Sequence, residues 1–238
     1  MNRANEAPSA RTDEAGDPSS MTEATFWEAV GRVAATDPVL AAVKHRWGPP
    51  PFWQLPAGFA GLVHGILAQQ VSLESASSAF ANLEQELGTV TPAGLLALDA
   101  DGMKAIGFSR QKTSYVRGLA TSIAEGALDL AALETASDDD VRTILTRVRG
   151  IGRWTADVYM LFALRRPDAW PHGDLALAQA VQHLWDMPER PDFASLDVFA
   201  ERWRPFRAVA ARFLWHDYLC RRGREAAGRA LSSRSVAG

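Results

Sequence analysis

Two glycines one residue apart, between two helical patterns, constrain this chain more than any other feature of its sequence. The apolar residues of the preceding segment recur at helical spacing: Val141, Ile144, Leu145 and Val148. Three consecutive aspartates at 138–140 stand where a helix N-terminus favours negative charge. Gly150 and Gly152 then permit a turn that other residues resist, and they leave the backbone open to close approach. The sequence therefore predicts a helix, a tight turn and a second helix that begins at Arg153.

The start of the second helix is a candidate anion site. Its first amides have no partner within the helix, and Arg153 stands beside them, which suits a DNA phosphate. The alternative is an ordinary corner between two helices, with Ile151 packed in the core. A Gly-x-Gly pair without further context favours that alternative. The neighbouring residues are therefore needed to distinguish an anion site from an ordinary corner.

Asp174 follows the second helix at the end of a proline-containing loop, residues 165–173. The helix is roughly 16 Å long by its rise per residue. The loop can extend to roughly 27 Å, which is enough to return Asp174 to the Gly-x-Gly turn. Aspartate is also a favoured helix N-cap, and Leu175, Leu177 and Val181 continue after it with helical spacing. On spacing alone, the capping role is the better interpretation.

Helical patterns account for most of the remaining chain, and no segment indicates a strand. We therefore predict an all-α protein, in which a helix from Phe59 is expected to reach Val71. Residues 1–21 are rich in Ala, Ser, Asp and Glu without periodicity, which is typical of a disordered tail. We expect one folded domain at residues 22–225, with the helical hairpin at 138–164, and a flexible tail at 226–238.

Charge and composition exclude several classes of protein. A net charge of −3 and 47% hydrophobic residues indicate a folded protein that is not basic overall, so any contact with DNA must be local. Residues 201–238 hold nine arginines against three acidic residues, an excess that either follows a phosphate backbone or faces solvent. The single cysteine, Cys220, excludes a disulfide framework and a four-cysteine cluster. No apolar run is long enough to span a bilayer and no signal segment is present, so we expect a cytoplasmic protein without a membrane partner.

Two motifs together carry a resemblance to a known family. The first motif is Val148-Arg149-Gly150-Ile151-Gly152-Arg153-Trp154-Thr155-Ala156, and the second is Asp168-Ala169-Trp170-Pro171-His172-Gly173-Asp174-Leu175-Ala176-Leu177. In combination they resemble the helix-hairpin-helix DNA glycosylases, and within them the bacterial 3-methyladenine DNA glycosylase II branch without an N-terminal β domain. The resemblance spans roughly residues 26–222. It implies two helical subdomains that flank a DNA-binding cleft.

The resemblance also implies roles for residues of a base pocket. Asp174 occupies the position of the family's catalytic aspartate, and Trp154 and Trp215 match tryptophans of the pocket. A carboxylate there would stabilise the positive charge that develops on the sugar, and the aromatic rings would hold a cationic base. Val158 stands where close relatives have a pocket tyrosine, so the neighbouring Tyr159 is the candidate to replace it.

At the hairpin, the resemblance implies contacts with the DNA backbone and with one ion. The phosphate would be bound at Gly150, Gly152 and Arg153. A structural Na⁺ or K⁺ would be held by three backbone carbonyls, those of Thr146, Val148 and Ile151, and no other cofactor is expected. Gln70 stands in the segment where the family places the wedge that fills the gap left by a flipped base.

These roles lead to a functional expectation. We expect a monofunctional glycosylase of base excision repair that flips alkylated purines, such as 3-methyladenine and 7-methylguanine, and hydrolyses their N-glycosidic bond. A lyase step is not expected, because Trp154 replaces the family's nucleophilic lysine and the only lysines are Lys44, Lys104 and Lys112. The expected partner is double-stranded DNA with damaged bases, bound by a monomer. The alternatives are a glycosylase for deaminated or oxidised bases, and a non-catalytic module that binds damaged DNA.

Overall fold

The computed structural model describes residues 20–224, and within that range the chain is all-helical, with no strand. The all-α prediction is therefore confirmed. Residues 1–19 and 226–238 of the predicted tails lie outside the described residues. Met21 is buried and donates its backbone N–H to the Arg165 carbonyl at 2.9 Å, so the folded part begins before residue 22. None of the helices in this part of the chain is long and apolar enough to cross a membrane.

The described residues form twelve α-helices, joined by loops and two 3-10 turns at Ala132–Glu134 and Glu201–Trp203. The first six helices are α1 (Glu23–Thr36), α2 (Pro38–Trp47), α3 (Phe59–Leu67), α4 (Leu73–Leu87), α5 (Pro92–Ala97) and α6 (Ala100–Ala105). The other six are α7 (Arg110–Ala124), α8 (Asp138–Thr146), α9 (Arg153–Phe162), α10 (Leu175–Leu184), α11 (Phe193–Ala200) and α12 (Arg207–Cys220). The predicted helical hairpin is α8, the Gly-x-Gly turn and α9.

Helix starts follow the capping signals of the sequence. At most of them a Ser, Thr or Asp side chain accepts a backbone N–H from the first turn, which satisfies a donor that the helix leaves unpaired. These capping residues are Thr22, Asp37, Ser72, Thr91, Asp99, Ser109, Ser137, Asp174 and Asp192. The capping role predicted for Asp174 is therefore confirmed.

One helix end differs from the sequence prediction. We expected the helix from Phe59 to reach Val71, but α3 ends at Leu67. Gln70 has a φ of 56°, a left-handed conformation that a continuing α-helix does not contain. Residues 68–72 therefore form a turn between α3 and α4.

The helices pack into two groups. The helices α1, α2, α10 and α12 come from both ends of the chain and pack against one another. In the middle of the chain, α5 and α6 pack on α7, and α3 packs against α4, α7 and α9. Two glycines allow α3 to lie close to its neighbours: a Cβ at Gly61 would be 2.1 Å from the Pro56 carbonyl oxygen, and one at Gly65 would be 3.1 Å from a methyl carbon of Thr155. The helix that follows the Gly-x-Gly turn is thereby held against the buried α3.

Asp37 provides a test of how the caps contribute to stability. Its Oδ1 accepts the N–H groups of Val39 and Leu40, and its Oδ2 accepts the indole N–H of Trp203 at 2.8 Å inside the protein. We expect Asp37→Ala to lower the free energy of unfolding by about 2–4 kcal/mol, because the change removes a cap and leaves a buried donor unpaired. Urea unfolding followed by circular dichroism measures this loss.

The matched control is Asp99→Ala, which removes an exposed cap with one bond to the Gly102 N–H. We expect this change to lower the free energy of unfolding by about 1 kcal/mol. Equal losses in the two variants would contradict the importance of the contact between Asp37 and Trp203.

Candidate active site

A large cleft opens beside the helical hairpin. Its volume is about 1230 Å³, and three segments that are far apart in the sequence border it: residues 68–73, residues 146 and 148–152, and residues 173–176. Its aromatic lining includes Trp53, Trp154, Phe162, Trp215 and Tyr218. The fold therefore brings the Gly-x-Gly turn, the turn after α3 and Asp174 to one site.

Asp174 lies in this cleft with both carboxylate oxygens occupied by N–H donors. Its Oδ2 accepts the indole N–H of Trp154 at 2.9 Å. Its Oδ1 accepts the backbone N–H of Leu177 at 2.9 Å and the indole N–H of Trp215 at 3.3 Å. The residue is only 7% exposed. Three helices, α9, α10 and α12, thus supply the donors that orient one buried carboxylate.

The surroundings of Asp174 act on its pKa in opposite directions. Burial raises the pKa above its ordinary value, because a charged carboxylate loses its hydration inside a protein. The hydrogen bonds from Trp154, the Leu177 backbone and Trp215 lower it, because each of them stabilises the charged form. The balance is a raised pKa on a carboxylate whose hydrogen-bond partners are N–H donors. Such a group is suited to stabilise a positive charge that enters the cleft.

The aromatic wall is built from α9 and α12. The rings of Phe162 and Trp215 are stacked, with centroids 5.3 Å apart and an interplanar angle of 25°. Trp154, Val158 and Phe162 recur every four residues along α9 and all border the cleft. Helical spacing from Trp154 would have identified Phe162 as a wall residue, and the sequence analysis missed it.

The structure does not bring Tyr159 to the cleft. Tyr159 is 2% exposed, and its hydroxyl accepts the Gly58 backbone N–H at 3.0 Å. Burial raises its pKa. The reason is the rotation of about 100° between successive residues of a helix, which turns Tyr159 into the core when Val158 borders the cleft. The pocket role suggested for Tyr159 is therefore wrong, and Val158 occupies that place.

The two glycines of the turn have different structural tasks. Gly150 has a φ of 94°, and a Cβ there would lie 2.2 Å from the Cγ of Tyr115 on α7. Gly152 has an ordinary φ of −89°, and nothing lies within 4 Å of a Cβ built on it. Ile151 between them is buried, as the alternative of a packed corner also required. Gly150 is thus needed for the fold, whereas Gly152 leaves open space at the start of α9.

Gln69 connects the turn after α3 to the hairpin. Its side-chain amide donates to the Gly150 carbonyl at 2.8 Å and to the Thr155 hydroxyl at 2.9 Å. Gln70 beside it is exposed, borders the cleft and has the left-handed backbone conformation described above. From the sequence, Gln70 is the candidate wedge, and the alternative is that both glutamines only cap a helix end. The link made by Gln69 depends on residues more than 80 positions away, so no local pattern could indicate it.

Arg153 is placed differently from the expectation. Its guanidinium does not border the cleft, and it lies 3.7 Å from a carboxylate oxygen of Asp157 and 3.8 Å from one of Asp197. Its charge is therefore partly neutralised by Asp157, one helical turn farther along α9, and by Asp197, which no local sequence pattern places beside it. Arg149 is exposed and borders the cleft, and no carboxylate of the described residues forms a salt bridge with it. Arg149, which directly precedes the Gly-x-Gly turn, is thus a cation that can bind an anion in the cleft.

The loop before Asp174 is fixed by two acids. Asp197 accepts the Trp170 indole N–H at 3.1 Å and lies 2.6 Å from Nδ1 of His172. Asp157 is fully buried, accepts the His172 backbone N–H at 3.2 Å and pairs with Arg142 at 2.9 Å. These contacts anchor the loop immediately before Asp174.

The three carbonyls suggested for a monovalent ion belong to residues that border the cleft: Thr146, Val148 and Ile151. The Val148 carbonyl accepts the Ile151 N–H at 3.0 Å, which leaves one of its lone pairs free. Carbonyl oxygens are the hard donors that alkali cations prefer, so the residues fit such an ion. Within residues 20–224, no group of three His, Cys, Asp or Glu side chains could hold a metal.

Lys112 is a cleft residue that the sequence analysis did not identify. Its Nζ donates to the Leu67 carbonyl at 2.5 Å, at the end of α3. Burial lowers its pKa. A nucleophilic lysine in this cleft would therefore be Lys112, because residue 154 is a tryptophan.

The C-terminal arginines are largely engaged in ion pairs within the described residues. Arg207 pairs with Asp168 and Glu201, Arg221 pairs with Asp217, and Arg224 pairs with Glu74. Most of the positive charge at residues 201–224 therefore stabilises the protein itself. The excess at residues 201–238 continues beyond residue 224, so the described residues do not distinguish a phosphate track from a solvated face.

Together, the fold and the site define a helix-hairpin-helix protein with a buried acid facing the hairpin. Residues 63–205, more than half of the chain, match the model of the HhH-GPD superfamily of base excision DNA repair proteins. The chain therefore belongs to this superfamily.

Individual relatives agree with this assignment. The chain is 30% identical over 126 residues to the putative DNA-3-methyladenine glycosylase YfjP of Bacillus subtilis, covering 53% of this chain and 44% of the relative. It is 28% identical over 158 residues to DNA-3-methyladenine glycosylase 1 of Schizosaccharomyces pombe, covering 65% of this chain and 69% of the relative. The first match thus spans less than half of the curated relative.

A solved structure with the same architecture is the S. pombe 3-methyladenine DNA glycosylase Mag1 in complex with abasic DNA. The two chains superpose with a TM-score of 0.71 at 25% sequence identity, covering 79% of this chain and 95% of the other. The fold expected from the two motifs is therefore confirmed.

The different tasks of the two glycines can be tested with a pair of variants. We expect Gly150→Ala to be destabilised by several kcal/mol or to fail to fold, because the new Cβ would enter the Tyr115 ring and φ is left-handed. We expect Gly152→Ala to melt within a few degrees of the unmodified protein, since its Cβ meets open space. Thermal melting followed by circular dichroism measures the stability of both variants. A Gly150→Ala variant that melts as the unmodified protein does would contradict the packing of Gly150 against Tyr115.

Proposed function

We propose that this chain is a monofunctional DNA glycosylase that hydrolyses the N-glycosidic bond of alkylated purines, of the 3-methyladenine and 7-methylguanine type, in duplex DNA. The observation that carries the proposal is the buried Asp174 carboxylate, held by the indole N–H groups of Trp154 and Trp215 in a cleft beside the hairpin. The names of the relatives, which are DNA-3-methyladenine glycosylases from a bacterium and a yeast, support the choice of lesion.

The proposed chemistry starts at the bond between the sugar and the base. As that bond breaks, positive charge develops on the sugar, and a carboxylate beside it stabilises the charge. Asp174 would supply this stabilisation and would orient or deprotonate the attacking water. An alkylated purine is already cationic and leaves as a neutral base, so it needs little help from a general acid. This requirement agrees with a site whose acidic group contacts only donors.

The proposed pocket holds the base between aromatic rings. Trp154 and Trp215 are half-buried on the wall of the cleft and can stack on a base that has left the helix. Gln70 would fill the gap in the duplex, because it is exposed and borders the cleft. Its left-handed backbone costs on the order of 1–2 kcal/mol, and such strain is typical of functional positions.

The proposed DNA contact is made by the turn between α8 and α9. The free amides at the start of α9 and the exposed Arg149 would bind one phosphate. The absence of a side chain at Gly152 would let that phosphate approach the backbone. A Na⁺ or K⁺ held by the carbonyls of Thr146, Val148 and Ile151 would add positive charge at the same place.

The absence of a lyase step remains part of the proposal. Trp154 stands at the place of the family's nucleophilic lysine and binds Asp174 through its indole N–H. The lysine that does border the cleft, Lys112, donates to the end of α3. Its ammonium is thereby occupied in supporting the turn that carries Gln70.

Asp174→Asn tests the proposal directly. We expect the unmodified protein to create abasic sites in a duplex that contains 7-methylguanine, detected as strand breaks after alkali. We expect Asp174→Asn to lower the single-turnover rate by about 10²–10³-fold, because the neutral amide cannot stabilise the charge on the sugar. DNA binding, measured by fluorescence anisotropy, should be retained.

The matched control is Asp192→Asn, which changes another helix-capping aspartate that lies outside the cleft. It should keep the full rate. Binding without product on 7-methylguanine and 3-methyladenine would exclude the alkylpurine assignment, and duplexes with hypoxanthine or 8-oxoguanine would then test the alternatives. A covalent adduct with DNA after borohydride treatment would contradict the monofunctional assignment, and its loss in Lys112→Arg would identify Lys112 as the nucleophile.

A further inference from the structure

Arg212 is a fully buried arginine on α12, three residues before Trp215. Its Nη1 donates to the Ala208 carbonyl at 3.1 Å. Its Nη2 donates to the carbonyls of Trp53 at 3.2 Å and Leu161 at 3.0 Å. In the sequence it is one of nine arginines near the C-terminus, and nothing there distinguishes it from a surface residue.

Within residues 20–224, no carboxylate neutralises this charge. The described residues provide no salt bridge to Arg212, in contrast to Arg207 on the same helix and Arg221 directly after it. Three aromatic rings surround its guanidinium instead, with centroids 5.2–5.6 Å from the central carbon: Phe26, Phe52 and Phe162. Burial lowers its pKa to about 9, so the group stays protonated at neutral pH. The protein therefore keeps an uncompensated positive charge in its interior.

That charge lies next to the wall of the cleft. Phe162 is 5.2 Å from the guanidinium carbon of Arg212, and its ring is stacked on Trp215 at 5.3 Å. Both rings border the cleft, whereas Arg212 does not. The distance from the guanidinium carbon to the centroid of the Trp215 ring therefore cannot exceed the sum of these two distances.

We propose that Arg212 is a specificity-determining residue, whose buried positive charge weakens the preference of the pocket for cationic bases relative to neutral bases of similar shape. The inference rests on the proposed function, because it concerns a base held at Trp215. With this charge in place, neutral purine lesions compete with cationic lesions better than they would in a pocket that had the aromatic rings but not Arg212.

Two effects act in the same direction. A cation beside the wall repels a cationic base directly, and Coulomb's law with an effective dielectric constant of about 20 gives a roughly tenfold effect for unit charges about 10 Å apart. The same cation also engages the electron-rich face of Phe162, which reduces what the stacked rings can offer to a second cation. A neutral base experiences neither effect to first order. The Asp174 carboxylate attracts a cationic base, but it is present in every variant compared below.

A purely structural role for Arg212 makes a different prediction. Its bonds to the carbonyls of Trp53 and Leu161 support the wall of the cleft, so their loss would impair all substrates together. The ratio between a cationic and a neutral substrate therefore separates the charge effect from a structural one.

The experiment is a competition in one tube between two labelled duplexes, one with cationic 7-methylguanine and one with neutral hypoxanthine. At equal concentrations of the two duplexes, the ratio of their initial rates equals the ratio of their kcat/KM values and does not depend on how much of the protein is folded. The variants are Arg212→Met, which removes the charge, and Arg212→Gln, which keeps donors for the carbonyls and also removes the charge. Circular dichroism identifies which of them fold.

The matched control is Arg166→Met. Arg166 is also buried and also donates to three carbonyls, but it lies away from the cleft: its acceptors are Leu133, Glu134 and Ala136. Its loss should lower stability without changing the ratio. We expect both Arg212 variants to raise the ratio of 7-methylguanine to hypoxanthine release three- to tenfold.

An unchanged ratio in the Arg212 variants, or an equal rise in Arg166→Met, would overturn the inference. The unmodified protein could release 7-methylguanine but no hypoxanthine, and the test is then the rate of 7-methylguanine release per folded molecule. The inference requires this rate to be at least threefold higher in the Arg212 variants than in Arg166→Met. A smaller difference overturns the inference. An unmodified protein that releases neither base contradicts the proposed function itself, which is a distinct result.

Discussion

A buried carboxylate with three N–H donors is the contact on which the rest of this site depends. Removing a charged group from water is unfavourable unless it is fully hydrogen-bonded, so the donors around Asp174 must be in place whenever the protein is folded. They come from the side chains of Trp154 and Trp215 and from the backbone of Leu177. Because these residues lie on α9, α12 and α10, one carboxylate fixes the relative positions of three helices. The two tryptophans therefore orient the acid as well as lining the pocket.

The surrounding structure holds this contact in register with the hairpin. Asp197 and Asp157 anchor the loop before Asp174 through Trp170 and His172. Gln69 joins the hairpin to the turn after α3. The segments proposed to bind the phosphate, fill the gap and carry out the chemistry are thus linked by direct hydrogen bonds. A base in the pocket and a phosphate at the turn would be positioned by one connected framework.

The sequence predicted the features that depend on local patterns. Helical spacing identified the hairpin, and the length of the following loop allowed Asp174 to return to it, where it also caps α10. Features that depend on distant contacts were not predictable in this way: the Asp197 carboxylate beside Arg153 and the ring environment of Arg212 come from segments far apart in the chain. The error at Tyr159 had a different origin, because the helical rotation that turns it inward could have been calculated from the position of Trp154.

The most direct test of the account is the pH dependence of the single-turnover excision rate in Trp154→Phe. In the proposed mechanism Asp174 must be charged to act, so we expect activity to be lost as the pH falls through its pKa, which the indole N–H of Trp154 lowers. The variant keeps an aromatic wall but loses this donor, so we predict that its acid limb moves to higher pH than that of the unmodified protein. Trp27→Phe, an exposed tryptophan outside the cleft, should leave the profile unchanged. Superimposable profiles for Trp154→Phe and the unmodified protein would contradict the claim that this hydrogen bond holds the proposed catalytic carboxylate in its charged form.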